Sequence, residues 1–86
     1  VEGDAYQQAR RCFAIVVEAV EALGGRREDI IRTRMYVVDG ADWDAVGKAH
    51  GEVFGTLFPA ATMVVVKELL DPRWKVEVEA EAEVGE

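Results

Sequence analysis

The chain has 86 residues, half of them hydrophobic and 31% charged, which is the balance of one globular domain with one core; two cores do not fit. Its net charge of −7 disfavours nonspecific binding to phosphate backbones. No uninterrupted apolar run approaches the roughly 18 to 20 residues of a membrane span.

A chain this short hides only somewhat more than about 60% of its surface, so burial completed by further copies is expected. Residues 1–34 carry six acids and six bases, and residues 35–86 carry eleven and four, so the acidity belongs to the C-terminal part. The best basic patch, Arg26, Arg27, Arg32 and Arg34, is interrupted by Glu28 and Asp29 and has no interleaved aromatic platform, which argues against nucleic acid as a partner. The single cysteine, Cys12, cannot form an internal disulfide, and no charged-apolar-small leader is visible. A reducing cytoplasm is the expected compartment.

Asp4 precedes a periodic segment and Gln7 follows three residues on, the spacing of a capping box, so a helix is predicted from Ala5 to Leu23. Ala9, Cys12, Phe13, Val16, Val20 and Leu23 recur at steps of three and four and form its apolar stripe. Gly24-Gly25 stops it, because glycine takes the left-handed conformation without a Cβ clash.

Ile31, Thr33, Met35 and Val37 alternate with Arg32, Arg34 and Tyr36, the period of a half-buried strand. Asp39-Gly40 turns the chain, and Asp42 or Asp39 can cap a second helix whose Trp43, Val46, His50, Val53 and Phe54 share a face. Gly47 and Gly51 each cost that helix about 1 kcal/mol relative to alanine, so close backbone packing is expected on their side.

After Pro59, the β-branched run Thr62 to Val66 reads as a strand covered on both faces. Asp71-Pro72 marks a turn, and from Lys75 to Val84 the apolar Val76, Val78, Ala80, Ala82 and Val84 alternate with Glu77, Glu79, Glu81 and Glu83. Handedness favours a parallel pair of the first two strands, with the last joining antiparallel and both helices on one face. The predicted class is α+β, a mixed sheet in the order α-β-α-β-β within one domain spanning 1–86. Its second face would set Arg32, Arg34 and Tyr36 against the glutamate row, with cross-strand pairs of about 0.2–1 kcal/mol each.

These segments resemble the RidA (YjgF) family of reactive-intermediate deaminases. The resemblance runs through 1–11, 25–38, 43–54, 59–66 and 76–82. Its most telling pieces are Arg32-Thr33-Arg34-Met35-Tyr36-Val37 before an aspartate turn, Pro59-Ala60-Ala61-Thr62, and Val76-Glu77-Val78-Glu79-Ala80. It implies a chorismate-mutase-like fold, a homotrimer with sheets facing inward, and a small-molecule pocket in each subunit cleft. It covers the C-terminal two thirds of a typical member, which carries further strands before its first helix. It therefore implies that Val1 is internal to a longer chain, with the family's N-terminal pocket residues outside this sequence.

Active members carry an arginine after Pro-Ala, where a guanidinium clamps the substrate carboxylate. Ala61 stands there in this chain; Gly47 and His50 replace an asparagine and a tyrosine usual in the second helix. Glu77 matches the glutamate that faces the family's pocket and positions a water for imine hydrolysis, and Thr62 matches its small hydroxyl residue. The candidate site is thus Glu77 as the catalytic residue, with Thr62, Ala61 and Arg34 at the substrate.

Each candidate has a plainer alternative. The glutamate row reads first as a solvated or arginine-paired face, with Glu77 a general base only where burial or like charge from Glu79 and Glu81 acts on it. His50 reads as a packed or hydrogen-bonded residue rather than a proton shuttle, and no second metal ligand accompanies it. Cys12 reads as core rather than nucleophile. No phosphate loop, Ser-His-Asp set or CxxC pair is present, and no cofactor is called for. Three readings remain: a small-ligand binding or divergent hydrolytic protein, an active 2-imino or enamine acid deaminase with another clamp, and a trimeric scaffold.

Overall fold

A computed structural model describes residues 3–57 and 59–84. Val1, read above as internal to a longer chain, lies outside the described residues. The elements follow the predicted order: α1 (Ala5–Ala22), β1 (Ile30–Val37), α2 (Trp43–Phe54), β2 (Ala60–Val65) and β3 (Val76–Ala82).

Asp4 caps α1 as its spacing requires. Its carboxylate accepts from the Gln7 amide at 2.8 Å, and the Gln7 side chain accepts from the Asp4 amide at 3.1 Å. At the other end Gly24 takes φ +90°, so the Gly25 amide reaches the Val20 carbonyl at 2.9 Å and the Gly24 amide that of Glu21 at 3.0 Å, a Schellman closure. Gly25 is required for a second reason. A Cβ there would lie 2.8 Å from both Val20 and Val84.

The sheet order is β2-β1-β3, with β1 parallel to β2 and antiparallel to β3. The last strand therefore crosses past β2 to the far side of β1, and the connection is pinned by Gln8 of α1. That buried side chain accepts from the Lys75 amide at 2.7 Å and donates to the Gly3 and Arg73 carbonyls, each at 3.1 Å. Both helices share the sheet's inner face, where Ala5, Ala9 and Phe13 meet Val46, Ala49 and Phe54 over Ile30, Met35, Val37 and Val76. Phe13 and Phe54 pack edge to face at 5.4 Å between ring centres.

Five expectations are corrected. Ile31 is exposed and Ile30 buried, because β1 bulges against β3 between Ile30 and Arg32; the extra residue changes which isoleucine faces inward. Leu23 and Trp43, assigned to apolar stripes, are exposed because each stands at a helix end beyond the sheet's cover. The strand after Pro59 is not covered on both faces: β2 is a sheet edge, with Val64 and Val65 exposed. Among the described residues no close approach requires glycine at 47 or 51, since a Cβ at either would meet none of them within 4 Å. Neither aspartate offered as a cap bonds an amide of the second helix: the Asp39 carboxylate accepts from the Ala41 amide at 2.9 Å in the 3-10 turn Gly40–Asp42 ahead of it, and the Asp42 side chain makes no capping bond.

Candidate functional site

The outer face of the sheet carries the charges in the register the alternation implied. Arg32 lies opposite Glu81, Arg34 opposite Glu79, and Tyr36 opposite Glu77. Arg34 reaches Glu79 at 3.2 Å and Glu81 at 3.6 Å, and Arg32 reaches Glu81 at 3.9 Å. The Tyr36 hydroxyl donates to Glu79 at 2.6 Å. These bonds, that of Tyr36 first and that of Arg34 next, hold the Glu79 carboxyl below the usual carboxylate range, and the same contact raises the Tyr36 phenol.

Glu77 is different. Among the described residues its side chain has no hydrogen-bond or ion-pair partner, and it lies on β3, which like β2 is an outer strand of the described sheet. Two grooves meet at its side chain. One, of about 790 Å³, runs between the end of β1 and the connection to β3, along Val38, Glu68, Leu69 and Trp74. The other, of about 340 Å³, lies between β3 and α1 and is lined by Cys12, Ile15, Val16 and Val78 as well as Trp74.

The remaining candidates divide between the two faces. Thr62 pairs in register with Arg34, so Thr62, Arg34 and Glu79 form one rung, one step from Tyr36 and Glu77 on the same face. Ala61 pairs with Thr33 and so belongs to the helix-bearing face. Arg34 is already engaged by two glutamates.

His50 is turned into the core, with its Nε2 2.8 Å from the Thr33 hydroxyl and its ring against Phe13 and Phe54. Burial pushes its pKa below the ordinary value. Burial likewise raises the Cys12 thiol, which keeps it protonated and a poor nucleophile. Trp74 was not singled out from the sequence. Its signal was a tryptophan closing the Asp71-Pro72 turn immediately ahead of the acidic strand.

A three-stranded mixed sheet with two helices on one face and a charged second face defines an α+β protein of one known kind. The chain belongs to the RidA (YjgF) family: its residues 1–84 match the family model described as Endoribonuclease L-PSP. An uncharacterized protein of Streptomyces coelicolor is 43% identical over 84 residues, covering 98% of this chain and 63% of that one. A 2-iminobutanoate/2-iminopropanoate deaminase of Dermatophagoides farinae is 29% identical over 80 residues, covering 93% of this chain and 62% of the relative. The crystal structure of Rv2704 from Mycobacterium tuberculosis, a member of the YjgF/YER057c/UK114 family, superposes with a TM-score of 0.94 at 36% identity, over 98% of this chain and 71% of that one. The chain thus spans under two thirds of the length of the curated relatives it matches.

Proposed function

We propose that this chain is a small-ligand protein of the family with divergent hydrolytic chemistry, and that it takes an imine or its enamine tautomer at Glu77. In this reaction water adds to the carbon of a protonated C=N bond, the C–N bond breaks, and a carbonyl compound and ammonium leave. Glu77 accepts the first proton that the attacking water loses and returns it to the nitrogen of the carbinolamine; as the C–N bond breaks the carbinolamine hydroxyl gives up its proton to the departing nitrogen, so both water protons end on the ammonium and one water is consumed per ammonium released. Thr62 stands on β2, one rung over on the same face, and lines neither of the two grooves at Glu77. Arg34 acts by holding the rung through Glu79 and Glu81, and reaches ligand only by exchanging those partners.

The observation that carries this reading is that Glu77 alone among Glu77, Glu79 and Glu81 lacks a partner among the described residues, and it borders both grooves. The likeness to a deaminase of Dermatophagoides farinae supports the reaction type. In this reading the protein works as a cytoplasmic homotrimer. The uncovered apolar residues of β2, Val64 at 40% and Val65 at 62% exposure, support self-association. The net charge of −7 and the engagement of Arg32 and Arg34 by glutamates weigh against RNA as a substrate.

The test is ammonium release from an imine generated in place by an amino-acid dehydratase, measured against the uncatalysed rate. Release that rises in proportion to the protein supports the reading. Release at the background rate at every protein concentration removes the hydrolytic part of it.

A further inference from the structure

The groove at Glu77 has a chemistry of its own, and it bears on what kind of molecule fits there. Its walls are the indole of Trp74 and the aliphatic surfaces of Val38, Leu69 and Pro72, and its charged groups are Glu68, Glu77 and Asp71. Asp71 is neutralised locally. Its two carboxylate oxygens take the Arg73 guanidinium at 3.0 and 2.6 Å and hold the Asp71 pKa down to about 2. That leaves Glu68 and Glu77 uncompensated. Among the described residues no lysine or arginine lines this groove or the adjoining one. A ligand carboxylate placed here would face two like charges with no cation to receive it.

We infer that the groove selects organic cations without a carboxylate, such as a protonated imine or amine with a short apolar body, seated on Trp74 with its nitrogen at Glu77. The inference rests on the function proposed above and narrows its substrate class. An ammonium or iminium gains from the ring face of tryptophan, from the carboxylate of Glu77, and from burial of its apolar body along Val38 and Leu69. A 2-imino acid carries the cationic nitrogen as well, but its carboxylate cancels the attraction and adds a desolvation cost.

Binding without turnover tests this directly. The full chain, isotopically labelled, is titrated with n-butylammonium and, separately, with butanoate, and shifts are followed at the Trp74 indole N–H and the Glu77 amide. Butylammonium is expected to shift both signals and to bind on the order of tenfold more tightly than butanoate, with the preference shrinking as salt rises. Glu77→Gln should bring the two affinities within about threefold of each other, and Trp74→Ala should weaken butylammonium several-fold. Butanoate binding as tightly as butylammonium, or neither ligand shifting these two signals, overturns the inference. Because no catalysis is read, a chain that fails to hydrolyse imines can still pass this test, and one that hydrolyses 2-imino acids while preferring butanoate fails it.

Discussion

The hydroxyl of Thr33, on β1, lies 2.8 Å from Nε2 of His50, on α2, and joins the sheet to the helix through a polar contact inside an aromatic cluster. Thr33 is fully buried, and removing its hydroxyl takes away the hydrogen-bond partner of the His50 ring nitrogen. Thr33→Val, which keeps the shape, is expected to destabilise the fold by about 1–3 kcal/mol in urea unfolding, whereas Thr33→Ser should cost less than that.

The same pair sets a pH dependence. Burial lowers the folded-state pKa of His50 below the ordinary 6.5, so between those two values the unfolded chain binds a proton that the folded chain does not. Stability should therefore fall as pH drops through about 6.5 and level off below the folded value. His50→Gln should flatten that part of the urea-midpoint profile between pH 7 and 5, and an unchanged slope would contradict the assignment.

Gln8 is the second buried polar anchor, with three hydrogen bonds to the backbone of Gly3, Arg73 and Lys75. Gln8→Leu fills the space but leaves the Lys75 amide and Arg73 carbonyl without these partners. A loss of about 1–3 kcal/mol is expected, together with faster amide hydrogen exchange confined to the connection before β3.

Gly47 offers a gain. It stands within α2, and among the described residues a Cβ there meets nothing within 4 Å. Gly47→Ala should raise stability by up to about 1 kcal/mol, seen as a higher thermal midpoint, while Gly25→Ala should lower it because Val20 and Val84 crowd that position.

What the sequence disclosed depended on the range of the interaction. The Asp4–Gln7 box is local, and the alternation through Val76–Ala82 has one consistent solution, so the first helix start, the last strand and the arginine–glutamate face were all readable. The bulge at Ile31 was not, because two adjacent isoleucines suit either register. Nor was the exposure of Val64 and Val65, since a β-branched run looks the same in a central strand and at an uncovered edge. At the site, Glu77 was marked by its motif, but that it alone stays unpaired while Glu79 binds both Tyr36 and Arg34 depends on side-chain geometry between strands distant in sequence. Trp74 escaped notice because its importance comes from where the connection lays it, between two grooves.

The central claim is that the unpartnered glutamate does the chemistry and the paired one holds the scaffold. Ammonium release from an imine is to be compared for Glu77→Gln and Glu79→Gln, both confirmed folded by circular dichroism. The account predicts a fall on the order of a hundredfold or more in kcat for Glu77→Gln and a far smaller change for Glu79→Gln. Equal losses in both, or full activity in Glu77→Gln, would contradict it.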